Sequence, residues 1–319
     1  MPSDQLTSAS NVAFGVAVVL YLAATLGYFH HLAFRRRRVL VTARATAYVG
    51  AAVHAGSIVT RGIVAGRVPW GNLFEYVTVA SFLLVVAYLV IERRWRTETV
   101  GGFALGAAVA GLGAATLVYV PPGPLVPALN SYWKVVHVGL AMLATALFTL
   151  GFVFTILYLV QERRERRLAG RTTPVPAREP ALVTAGGGDR PEDYVAAEEP
   201  EEPARPVHPS TRSRLPDAST LDRLAYRTIV FAFPIWTLGP LIFGSIWAEE
   251  AWGRYWGWDP KEVWAFVTWV VFAGYLHARA TVGWRGRRAA ILAIVGFAAL
   301  VFNLIVVNTA IAGLHSYAQ

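Results

Sequence analysis

Eight predominantly apolar stretches, each about 20 residues or longer, constrain this 319-residue chain more than any other feature. They cover approximately 11–34, 43–63, 72–91, 99–119, 133–160, 222–247, 262–283 and 289–312. A backbone crossing hydrocarbon must satisfy its N–H and C=O groups internally, and runs of this length do so as helices. With 55% hydrophobic and 15% charged residues, the composition lies outside the range of soluble domains. The expected fold class is an all-α polytopic membrane protein with about eight transmembrane helices. The first run has no basic segment before it and exceeds the usual signal-peptide core, so it reads as a true span.

Basic residues set the expected orientation. Arg35–Arg38 with Arg44, then Arg93, Arg94 and Arg96, then Arg163, Arg164, Arg166 and Arg167, and finally Arg285, Arg287 and Arg288 fall on one side, which the positive-inside rule makes cytoplasmic. Both termini and the loops around 64–71, 120–132 and 248–261 then lie on the extracytoplasmic side. The net charge of +9 is mostly this topological signal and no footprint of nucleic-acid binding.

Residues 161–221 interrupt the pattern with nine of the chain's 18 prolines, a Gly186–Gly188 run and an acidic tract, a composition too poor in apolar surface to offset the entropy of ordering. The expected organisation is a five-helix N-terminal membrane half (1–160), a disordered cytoplasmic linker (161–221) and a three-helix C-terminal half (222–319). The chain has no cysteine, so it contains no disulfide, thiolate metal site or cysteine nucleophile.

The stretch EEAWGRYWGWDPKEVWAF, residues 249–266, carries four tryptophans. Indoles gather at membrane interfaces as a matter of course. Asp259-Pro260-Lys261-Glu262 reads as a helix start, with Asp259 the N-cap, Pro260 the first helical residue and Glu262 the partner in a capping box. An ordinary belt would populate both faces, yet Trp70, Trp133, Trp247, Trp252, Trp256, Trp258 and Trp264, seven of 11 tryptophans, fall at the outer face. A flat apolar ligand such as a porphyrin would use such a surface.

Haem iron takes imidazole as an axial ligand. His137, at the outer end of helix five, and His315, just beyond helix eight, share the tryptophan-rich side. His54 and His277 lie deeper: His277 reads either as a ligand or as a group snorkelling toward the cytoplasmic interface, and His54 either as a ligand or as a hydrogen-bonded core imidazole. Arg67, Lys134, Arg254 and Lys261 are basic candidates for the haem carboxylates. Glu75, opening helix three, suits the helix dipole.

The segment WGRYWGWDPKEVWAF closely resembles the tryptophan-rich WWD signature of the haem-handling proteins of cytochrome c biogenesis. RVPWGNLFEY (67–76), SYWKVVHV (131–138) and GLHSYA (313–318) resemble segments of the CcsA/ResC branch, and the count of eight spans suits this branch. The resemblance implies that the protein binds haem b in the membrane, presents it at the outer face and supports its covalent attachment to the Cys-X-X-Cys-His motif of apocytochrome c, as part of a haem lyase complex. It further implies His137 and His315 as outer iron ligands, with Trp252, Tyr255, Trp256, Trp258, Asp259 and Trp264, together with Trp70 and Trp133, around the haem. His277 would match the family's membrane histidine, its counterpart supplied by a ResB/CcsB-like partner, and the location would be a bacterial cytoplasmic membrane or a thylakoid. A haem transporter without attachment chemistry and a non-haem structural subunit are the alternatives; the last predicts a colourless protein.

Overall fold

The computed structural model describes residues 2–95, 97–125, 130–169, 182–184, 194–196, 214–311 and 313. Helices α1 (Pro2–Phe34), α2 (Arg37–Ala65), α3 (Leu73–Trp95) and α4 (Gly101–Thr116, entered through a 3-10 turn at Glu98–Val100) are followed by the 38-residue α5 (Tyr132–Ala169). Then come α6 (Ala218–Trp236), a π-helical stretch at Thr237–Phe243, α7 (Gly244–Trp252), α8 (Pro260–Ala280), α9 (Arg287–Leu304) and the short α10 (Val306–Ala310). Six helical segments are long and apolar enough to cross a membrane: 4–34, 73–95, 98–116, 132–169, 218–252 and 287–310. The remaining two, α2 and α8, have the length but dilute their apolar content, α2 with Arg37, Arg38, Arg44 and Arg61 and α8 with Lys261, Glu262 and Arg279. With them the long helical segments of the described residues number eight, and the chain is an integral membrane protein.

The segments that form one compact unit are 1–161 and 214–319, and 162–213 forms a separate small one. Within the expected linker the described residues comprise the end of α5, the start of α6, and strands β1 (Leu182–Thr184) and β2 (Tyr194–Ala196), antiparallel with Val183 opposite Val195.

Lipid is as apolar as leucine, so close van der Waals packing and internal polar contacts, not water exclusion, hold a membrane bundle together. The first interior cluster joins α1–α5 through Tyr21, Tyr28, Tyr88, Leu105, Leu112, Leu150 and Phe154. α4, almost entirely Gly, Ala and Leu, lets α1 and α3 approach closely. The second cluster joins α5, α6, α8 and α9 through Phe148, Ile229, Trp236, Phe272, Tyr275 and Leu300, with Phe148 stacked on Phe272 at 3.9 Å. Helix α5 contributes to both and is the spine of the bundle. Large apolar side chains such as Leu26, Val59, Phe231 and Ile291 point outward, as lipid-facing residues do.

Buried carboxylates are paired at both ends. Glu92 accepts from Tyr28 and Arg44, each at 3.0 Å, at the arginine-rich end. There too Arg279 grips Asp222 through two 2.8 Å bonds while its guanidinium lies 4.5 Å over the Tyr226 ring. At the opposite end Arg61 and Arg67 converge on Glu75. Such pairs are costly to break, because each removal strands a desolvated charge.

Candidate functional site: an aromatic pocket centred on His137

The run from 222 to 247 reads as one rod in sequence but is broken in the fold. Pro234 and Pro240 remove backbone donors and clash with the preceding turn, and the chain answers with the π-helical stretch Thr237–Phe243. The break leaves the Gly239 carbonyl with two donors: the Gly244 N–H and the His137 ring. His137 sits in the second turn of α5, its Nδ1 3.0 Å from the Gly239 oxygen. A carbonyl only accepts, so Nδ1 carries the proton, and in the neutral ring the lone pair is on Nε2. The imidazole lies against Trp247, centroids 5.8 Å apart and planes 16° from parallel. Gly244 closes the other side: a Cβ there would stand 3.0 Å from Nδ1. Hydrogen bond, stacking and a missing side chain together hold the ring in one orientation.

The pocket before this ring is partly open, and the empty space in it and at its mouth, open solvent included, is about 1100 Å³. Its walls include Trp70, His137, Trp236, Trp247, Trp252, Tyr255 and Trp256, with Lys134, Lys261, Asn303 and Asn308 as polar lining. Trp236 Nε1 donates to the Ala265 carbonyl at 3.1 Å and ties α6 to α8. Lys261 donates to Asn308, tying α8 to α10.

Trp252 packs edge-on to Trp247 at 4.9 Å, and Trp256 is perpendicular to Trp258 at 5.8 Å. Trp258 itself is 70% exposed with a left-handed backbone (φ 55°) and is not among the pocket residues. Asp259 caps α8 in a full capping box: it accepts from the Lys261 N–H at 3.1 Å, while Glu262 accepts from the N–H groups of Gly257 and Asp259. Gly313 approaches Asp259 closely, since a Cβ on it would lie 2.7 Å from the aspartate Oδ2. Trp264 packs on Phe302 at 4.1 Å and Trp133 stacks on Phe243 at 5.6 Å, both behind the lining.

Trp70 reaches the pocket from the α2–α3 loop, which a buried ion cluster pins. Glu75, 1% exposed, takes Arg61 Nε at 2.9 Å, Arg67 Nη1 at 2.8 Å and the Gly71 N–H at 2.6 Å. Arg61 also donates to the Val120 carbonyl and Arg67 Nε to that of Gly123 at 2.9 Å, fastening the loop to the segment before α5. Glu75 thus does more than complement a helix dipole; an arginine and a glutamate inside apolar runs were the available signal.

The other histidines lie apart. His54 is fully buried in α2, its Nδ1 3.3 Å from the Tyr21 hydroxyl and its ring boxed by Phe14, Tyr21 and Phe82. His277 occupies the last turn of α8, exposed at the arginine-rich end. His315 lies outside the described residues.

Fold and site together define a polytopic membrane protein with an aromatic, histidine-bearing pocket between α5 and a broken helix. Residues 70–315 match the family described as cytochrome C assembly protein, and the chain belongs to that family. The cytochrome c biogenesis protein CcsA of Synechococcus sp. (strain JA-2-3B'a(2-13)) is 36% identical over 97% of this chain and 93% of its own length. That of Gloeobacter violaceus (strain ATCC 29082 / PCC 7421) is 33% identical over 99% and 98%, and that of Heterosigma akashiwo (strain NIES-293 / 8280G21-1) 39% identical over 78% and 76%. Among solved structures, cytochrome c haem lyase CcmF shares the fold with a TM-score of 0.63 at 16% identity, over 98% of this chain and 50% of that one. Membership in this family implies haem handling in cytochrome c biogenesis.

Proposed function

We propose that the pocket binds haem b at the extracytoplasmic face and presents it for covalent attachment to the Cys-X-X-Cys-His motif of apocytochrome c. The observation carrying this reading is His137: an imidazole oriented by the Gly239 carbonyl so that Nε2 holds the lone pair, in an aromatic pocket. His315 would be the second iron ligand, and Gly313 against Asp259 brings the chain end to the WWD loop two residues before it. Trp70, Trp252, Tyr255 and Trp256 would cover the macrocycle and exclude water, with Trp133, Trp264 and Asp259 supporting them and Trp258 facing the client.

The protein has no cysteine, so both thiols that add across the haem vinyl groups belong to the apocytochrome. This chain contributes position: a fixed imidazole and a rigid aromatic surface hold the vinyl edge toward the incoming motif. The client's own histidine must then displace one ligand before release. His277, exposed on α8, suits a second haem shared with a ResB/CcsB-like partner that supplies the other ligand. His54, sealed among rings, is assigned a packing role. The membrane is bacterial cytoplasmic or thylakoid.

The test is the spectrum of the purified protein, alone and with its partner, after haem-replete expression. A pyridine haemochrome of b type at near-stoichiometric yield, with a low-spin bis-histidine spectrum, is expected. A colourless protein would overturn the reading.

A further inference from the structure

Lys134 stands in the first turn of α5, three residues before His137, so both side chains address the same wall of the pocket. It is only 5% exposed. An ammonium with so little water around its side chain is costly unless an anion or acceptors meet it, yet among the described residues no hydrogen bond or ion pair reaches Lys134, which lines the pocket. The charges it feels are Arg67 and Glu75, and that carboxylate is already engaged by two guanidiniums and the Gly71 N–H.

A second donor shares this wall. The indole Nε1 of Trp70 is buried with no acceptor among the described residues, and the ring packs over α5 close to Gly139. Buried donors ordinarily find acceptors, so an unanswered indole N–H beside an unpaired ammonium lining the same pocket specifies what the ligand must bring. Of the other basic candidates, Arg67 is engaged by Glu75 and the Gly123 carbonyl, Lys261 donates to Asn308 on another part of the lining, and Arg254 is exposed and outside it.

We infer that the Lys134 ammonium and the Trp70 indole N–H form a carboxylate-binding corner of the pocket, which receives an acidic side chain of the tetrapyrrole and so sets its rotation about the iron axis. The inference rests on the haem-pocket reading and adds which edge of the ring faces inward: the carboxylate edge at Lys134 leaves another edge toward the open side.

The experiment titrates full-length protein in nanodiscs, freed of haem, with metal-free protoporphyrin IX and with its dimethyl ester, read by tryptophan quenching. Without iron, axial ligation drops out of the comparison. The wild type should bind the diacid on the order of tenfold more tightly than the diester, the expected worth of a charge-assisted contact. Lys134→Gln should shrink that preference to about twofold or less by weakening the diacid alone, Lys134→Arg should keep it, and Trp70→Phe should reduce it in part. Equal binding of diacid and diester by the wild type, or an undiminished preference in Lys134→Gln, overturns the inference and leaves the pocket reading standing. Binding of neither porphyrin overturns both. The wild-type arm needs no variant to fold, and matched size-exclusion profiles qualify the variants.

Discussion

The Nδ1–H of His137 donates to the carbonyl oxygen of Gly239 at 3.0 Å, joining the second turn of α5 to the π-helical break 102 residues further along the chain. That carbonyl lies in the π-helical stretch, where it accepts from the Gly244 N–H as well, so the break orients the imidazole. Gly244→Ala tests this without replacing either partner. Its methyl would stand 3.0 Å from Nδ1 and 3.1 Å from Cε1, tighter than ordinary contact, and the ring must turn to accommodate it. Haem occupancy should fall several-fold while the protein accumulates normally; unchanged occupancy in the absorption spectrum would mean that the ring orientation is not what the pocket needs.

The ion cluster under Trp70 makes a comparative prediction. Glu75→Gln strands the buried Arg61 and Arg67 guanidiniums, at a cost of about 3–5 kcal/mol for a broken buried pair, whereas Glu92→Gln releases Arg44, which is 36% exposed and screened by solvent, and costs less. Both should lower the temperature at which the size-exclusion peak is lost. Only Glu75 holds the loop carrying Trp70, through the Gly71 N–H and Arg67. At permissive temperature, therefore, Glu75→Gln should also lose haem and Glu92→Gln should not. Equal haem retention by the two variants would show the loop to be indifferent to its anchor.

Asp259 separates a cap from a contact. Asparagine caps a helix nearly as well as aspartate, whereas alanine costs about 1 kcal/mol. Asp259→Ala should thus lower stability and Asp259→Asn should not. If the carboxylate serves the site through the approach of Gly313, Asp259→Asn should still reduce the yield of holocytochrome at equal protein levels. Normal yield from Asp259→Asn would confine the residue to capping.

Helix count, the aromatic cluster and His137 were legible because each is written in composition or in local spacing. The break at 237–243 was not, since apolar residues continue through it; Pro234, the Gly239–Pro240 pair and Gly244 were its only marks. Trp256 lines the pocket and Trp258 does not, though only Gly257 separates them. A left-handed backbone at Trp258 turns the chain there, and side-chain type carries no trace of it. The partnership of Arg61 and Glu75 was hidden for another reason: ion pairing between two helices depends on their rotation, which apolar periodicity leaves loose when both faces are apolar.

The last prediction removes the imidazole itself. His137→Gly leaves a ring-shaped void between Trp247 and Gly244, with the Gly239 carbonyl at its edge. Free imidazole can fill that void, donate one N–H to the carbonyl and offer its other nitrogen to iron. The variant should lose the low-spin spectrum and regain it in part on adding imidazole, with holocytochrome yield following. N-methylimidazole ligates iron equally well but has no N–H for Gly239, so it should rescue less at the same concentration. Equal rescue by both bases would retain His137 as a ligand and discard the role of the Gly239 bond. A variant that keeps its low-spin spectrum and matures cytochrome without either base would remove His137 from the iron altogether, because an axial ligand cannot be deleted without opening a coordination position.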